Sequence, residues 1–136
     1  KLMYESSLVA NVPNAALIVG YTNASWTLKV DIAAEYVCRL LNFMDKKGYQ
    51  TVLAQDHEGC KTKDTVMGSI HAGYIARAAS TLPRQGSKAP WLVMNNYLAD
   101  RVHLRKSSFE NGILRFDNKD PQVKAKRSKL LGAIGV

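Results

Sequence analysis

Apolar residues fall into runs and rows of differing period along the chain, and the period predicts the elements. Ala15, Ala16, Leu17, Ile18 and Val19 form a continuous apolar run, which predicts a buried strand. From about Ser25 to Lys47 the period changes: Val30, Ala33, Ala34, Val37, Leu41 and Met44 recur at helical spacing, with Leu40 beside them. That row predicts a long helix packed through it, with Lys29, Asp31, Glu35, Arg39 and Asp45 on the opposite side. Glu35 stands four residues before Arg39, the favourable order for a helix pair. Gly48 supplies a helix stop, and Asn23 or Ser25 is placed to cap the start through a side-chain oxygen. The stretch between run and row, GYTNASWTL from Gly20 to Leu28, is therefore a strand-to-helix turn. In open α/β sheets such turns lie where ligands sit, and a helix start offers unpaired N–H groups to an anion or carbonyl.

Beyond Gly48 the pattern is weaker. Tyr49–Gln55 alternates and predicts a short strand, Asp56–Asp64 reads as a loop by composition, and Gly112–Phe116 is short and strand-like. A second helix is predicted over Ile70–Thr81, with Tyr74, Ala78 and Leu82 on one side and Pro83 as its stop. Leu82–Pro90 reads as an exposed turn. A third helix is predicted from Pro90 or Trp91 to about Arg105, its row formed by Trp91, Met94, Leu98, Val102 and Arg105. There is no internal repeat. One strong strand cannot make a sheet, so the expected fold class is α/β, with this chain one part of a larger domain. The opening residues, from Lys1, show no cap or turn that would begin a domain, which points the same way.

Composition narrows the classes. With 136 residues, 46% hydrophobic and 22% charged, the chain is long enough for one domain with a core, and neither disorder nor a disulfide scaffold is indicated. Two cysteines, Cys38 and Cys60, suit a reducing, cytoplasmic setting. No apolar run reaches the roughly 20 residues needed to cross a bilayer, so a soluble protein is expected, with room for peripheral membrane contact. The net charge of +8 is concentrated at the end, in Lys119, Lys124, Lys126, Arg127 and Lys129, against Asp117 and Asp120. A charge excess carried by one short tail says little about a binding surface on the fold.

The stretch VPNAALIVGYTNASWTLKVDIAAEYVCRLLNFMD, from Val12 to Asp45, resembles the last strand-turn-helix of the FAD domain in class B flavoprotein monooxygenases, the flavin-containing and Baeyer–Villiger group. GYIARAASTLPRQGSKAPW, NNYLADRVHLRK and GILRF resemble the C-terminal region of its ethionamide-activating branch. The resemblance spans about Tyr4 to Phe116. It implies residues 1–48 as the end of a Rossmann-like FAD domain and 49–116 as a mostly helical C-terminal cap; residues 117–136 do not resemble the family's ending and read from their charge as a basic, flexible tail. It further implies an enzyme that uses FAD, NADPH and oxygen to oxygenate a small-molecule ketone, sulfur or nitrogen centre. In that family the turn lies against the flavin, so Gly20, Thr22, Asn23, Ala24, Ser25 and Trp26 are the cofactor-binding candidates it implies. N–H groups at a helix start would stabilise negative charge on the reduced ring through fixed dipoles, and Gly20 would allow close backbone approach.

Departures from the family pattern set the limits of this reading. There is no GxGxxG for the FAD pyrophosphate or for NADPH, no Phe-x-Gly stretch followed by His and Trp, and no candidate for the family's catalytic arginine. No residue here is expected to be catalytic, and the segment alone is expected to be inactive, its partners being the missing N-terminal FAD and NADPH domains. The alternative is a freestanding basic module that recruits an anionic partner through its tail. Asp56, His57, Cys60 and His71 have a partly metal-like spacing, but a surface loop is the better reading and no metal is expected. Trp91 and Tyr97 with Arg101 and Arg105 could form a nucleic-acid surface, yet Trp91 and Leu98 share the apolar row. Core packing is expected there, and no nucleic-acid partner.

Overall fold

The computed structural model describes residues 1–57, 59–68 and 70–117. In chain order its elements are β1 (Met3–Tyr4), β2 (Leu8–Val9), α1 (Trp26–Lys47), β3 (Thr51–Ala54), β4 (Lys61–Thr65), α2 (Gly73–Ala78), β5 (Arg84–Gly86), α3 (Tyr97–Lys106) and β6 (Leu114–Asp117). The strands pair antiparallel as β1–β2, β3–β6 and β4–β5. The architecture is thus mixed α and β, with small antiparallel sheets around one long helix. The tail expected over 117–136 lies, from residue 118 on, outside the described residues.

Helix α1 forms where the period predicts it, and Gly48 ends it in the left-handed conformation at φ 74°. Its buried row is different from the expected one. Lys29, Ile32, Ala33, Tyr36, Leu40 and Met44 face the core, whereas Leu41 is 55% exposed. Aromatic area decides this orientation. Tyr36 and Phe43 reach Phe109 at ring-centroid distances of 5.6 and 5.3 Å, and Phe43 also meets Phe116 at 5.3 Å, contacts the Val30–Val37–Leu41 row cannot match.

Other expectations are corrected as well. Ala15–Val19 is not a strand: it makes an isolated bridge between Ala16 and Leu8, its Ala15 carbonyl accepts the Val9 N–H at 3.0 Å, and its Leu17 N–H donates to the Ser7 carbonyl at 2.8 Å. Without a parallel neighbour among the described residues it stays irregular, and Leu17 is half-exposed. Lys61–Thr65 and Arg84–Gly86 were expected as loop and turn but form β4 and β5. Gly86 explains their closeness, because a Cβ there would lie 2.5 Å from Trp91 Cβ and 2.9 Å from Cys60 Sγ. The second helix is shorter than its pattern, and Tyr74 points outward while Ile75 is buried. The third starts only at Tyr97, since Asn95 takes φ 50° and Asn96 caps it by accepting the Ala99 N–H at 3.0 Å.

Contrary to the sequence reading, the opening residues do contain a turn. Glu5 and Ser6 take positive φ between β1 and β2, and Leu2, Met3, Tyr4 and Ser7 are among the most buried residues described. Tyr4 meets Trp91 edge-on at 5.5 Å, and Glu5 N–H donates to the Pro90 carbonyl at 2.8 Å. No described helix is long and apolar enough to cross a membrane.

Candidate functional site at the start of the long helix

The chain dives and resurfaces within a few residues at the turn. Gly20 and Tyr21 are buried and Thr22 is half-buried, whereas Asn23, Ala24, Ser25, Trp26, Thr27 and Leu28 are exposed. Trp26 folds back onto Gly20: a Cβ on that glycine would lie 2.2 Å from the indole. One face of the ring therefore staples the helix start, and with 44% of the residue exposed the rest looks outward. Gly20 makes room for this indole.

Neither expected cap is made. Ser25 occupies the cap position, but its hydroxyl lies 3.0 Å from the Thr27 hydroxyl and makes no capping bond. Asn23 instead donates its side-chain N–H to the Asn95 carbonyl at 3.1 Å. The first turn of α1 also carries no acidic residue. The result is an exposed helix start whose N–H groups meet no side-chain cap or carboxylate, a site suited to an electron-rich ligand edge.

Behind this turn lies a polar cluster that the sequence reading missed. The Tyr21 hydroxyl donates to Asp100 Oδ2 at 2.7 Å, and Lys29 Nζ lies 2.9 Å from the same oxygen, with the Lys29 side chain only 3% exposed. Lys29 also sits 5.3 Å from the centre of the Tyr21 ring. Burial, followed by the bond to Asp100, holds the Tyr21 hydroxyl well above its ordinary pKa. Nearby, both carboxylate oxygens of Glu5 lie 2.9 Å from His103 Nε2. Burial raises the Glu5 pKa, an effect opposed chiefly by His103. The available signal was spacing: Lys29 falls in one row with Ile32, Ala33 and Tyr36, and a lysine in an apolar row asks for a buried carboxylate.

The remaining candidates are not brought together. Among the described residues no group of His, Cys, Asp and Glu could hold a metal ion, and His57 Nε2 lies 3.1 Å from Gln55 Oε1. Trp91 is interior, Arg105 pairs with Glu35 at 3.1 Å, and Arg101 lies 5.9 Å from the centre of the Tyr97 ring.

Comparison with known proteins finds relatives over most of the chain. It is 54% identical over 125 residues to the probable FAD-binding monooxygenase AlmA of Acinetobacter baylyi, covering 92% of this chain and 25% of that protein. The chain is homologous to FAD-containing monooxygenases. It is 42% identical over 116 residues to the putative FAD-containing monooxygenase MymA of Mycobacterium tuberculosis, covering 85% of this chain and 23% of the relative. It is 39% identical over 122 residues to the FAD-containing monooxygenase EthA of the same species, covering 90% and 25%. The chain thus spans about a quarter of the length of these monooxygenases, which agrees with the expected segment of a longer enzyme. No family profile matches it. No solved structure matches it either.

Proposed function

We propose that this chain is the C-terminal part of an FAD- and NADPH-dependent monooxygenase, and that its turn at Gly20–Trp26 forms one wall of the flavin site. The observation that carries the reading is the identity to three differently named FAD monooxygenases over most of this chain. The geometry fits the cofactor as a partial site. The helix start is exposed and uncapped, and no carboxylate of its first turn opposes negative charge. The pyrophosphate fingerprint lies elsewhere, in the Rossmann-like remainder that residues 1–48 would complete and that 49–116 would cap.

Bound there, FAD supplies the oxygen chemistry: two electrons from NADPH and one atom of O2 oxygenate a ketone, sulfur or nitrogen centre, and the other oxygen atom leaves as water. The chain's own contribution is position and field. N–H groups of Thr22, Asn23, Ala24 and Ser25 would face the electron-rich edge of the ring, and the outward face of Trp26 would screen it from water. No residue of this segment would transfer a proton to substrate.

Two measurements test this. The 136-residue chain, mixed with FAD and desalted, is expected to lose the flavin absorbance, because its phosphate anchor is absent. A stoichiometric yellow product would contradict the reading of a partial site. In the longer enzyme Ala24→Pro removes one N–H donor and fixes φ. Loss of such a donor lowers turnover by roughly 100-fold when it stabilises developing charge. NADPH-coupled oxygenation at the unsubstituted rate, with normal flavin content, would place the turn away from the cofactor.

A further inference from the structure

Three separate ties run from the turn to one segment of the chain. Tyr21, the residue before Thr22, donates to Asp100 Oδ2 at 2.7 Å. Asn23, within the turn, donates to the Asn95 carbonyl at 3.1 Å. Lys29, one turn into α1, pairs with the same Asp100 oxygen at 2.9 Å. Asp100 stands in the first turn of α3, and Asn95 immediately precedes the residue that caps that helix. The start of α3 is thus a base plate on which both ends of the turn are fixed.

We propose that Tyr21, Lys29 and Asp100 are positioning residues that hold the backbone of Thr22–Ser25 in the orientation required by the flavin. The proposal rests on the reading of the turn as a flavin wall and adds a mechanism to it. A buried ion pair gains little net stability over apolar side chains of the same volume, because desolvation offsets the Coulomb attraction. What it provides here is geometry. Asp100 Oδ2 accepts from the tyrosine and faces the ammonium at once, so the residue before the turn and the residue after it cannot drift apart independently. Fixed dipoles act on a developing charge only if they need not reorganise, which makes their support part of their effect.

The separating variant is Tyr21→Phe, which deletes the donor and keeps the ring over which Lys29 sits. Chymotryptic cleavage within residues 20–28 is expected to quicken by at least tenfold, while cleavage within the β3–β6 pair changes by less than twofold. In the flavin-loaded longer enzyme the same variant is expected to shift the visible absorption and midpoint potential of bound FAD. Leu114→Ala, a core truncation away from the turn, serves as the control for general loss of stability. It should lower thermal stability at least as much and leave both flavin readouts in place. Unchanged cleavage over 20–28 overturns the positioning role alone. A Leu114→Ala variant that shifts the flavin as much as Tyr21→Phe also overturns it. Faster cleavage with an unaltered flavin spectrum and potential overturns the flavin-wall reading beneath it.

Discussion

At Gly20 a methyl group would meet the Trp26 indole at 2.2 Å. Gly20→Ala must therefore displace the ring or bend the turn, and overpacking of this kind costs about 1–3 kcal/mol. Chemical denaturation should show that loss, and Trp26→Ala introduced with it should remove most of the additional cost, because the two residues are coupled. If the double variant is as far below Trp26→Ala as Gly20→Ala is below the parent, the clash is not the cause. Glu5 gives a second test, this time of pH. Its pKa is raised from 4.5 by burial, so the folded state holds the proton more tightly than the unfolded state. That contribution is fully present below pH 4.5 and is lost as pH rises through the folded value. Relative to the parent, Glu5→Gln should thus gain stability as pH rises from about 4.5 toward neutrality, which thermal unfolding across a pH series would measure. A flat difference would mean that Glu5 titrates alike in both states.

The two longer helices differ in how they begin. Asn96 caps α3 through its side chain, whereas Ser25 makes no capping bond to α1. Asn96→Ala should cost about 1 kcal/mol and Ser25→Ala only a few tenths, a contrast readable from parallel urea titrations. Equal losses would show that Ser25 caps in solution. The same helices show how far the sequence could be read. A 22-residue helix with a glycine stop is legible from period alone. Its buried face was not, because Lys29 goes inside only when Asp100 arrives from a distant helix, and Phe109 and Phe116 pull Tyr36 and Phe43 inward. β4 was illegible for another reason: Lys61, Lys63 and Asp64 are exposed and polar, so no alternation marks a strand that exists through its pairing with β5. At the site, only the helix side of the turn was readable, from the start of the helical row; the run before it forms no strand, and the turn's ties to Asn95 and Asp100 depend on contacts that no local pattern carries.

Across the whole molecule, the rows that the pattern assigned to the core are partly left outside. Leu98 is 72% exposed and Val102 55%, and with Met94 they line an open groove of about 730 Å³. On α1, Leu41 is exposed beside half-buried Val37 and Val30. Uncovered apolar surface of this kind favours association. The 136-residue chain should therefore show a concentration-dependent mass in light scattering, reduced by Leu98→Glu together with Val102→Glu. A monomer of constant mass with cooperative unfolding would show that these faces need no cover. The pairing of β3 with β6 has a further consequence, in time. Thr51 lies opposite Asp117, so β3 leaves the ribosome well before the strand that completes it. At about 5–20 residues per second the interval is roughly 3–13 seconds. Through that interval Val52 and Ala54, both buried in the finished fold, have no partner strand, so the nascent chain offers a window for chaperone capture that closes only when Leu114–Asp117 emerges.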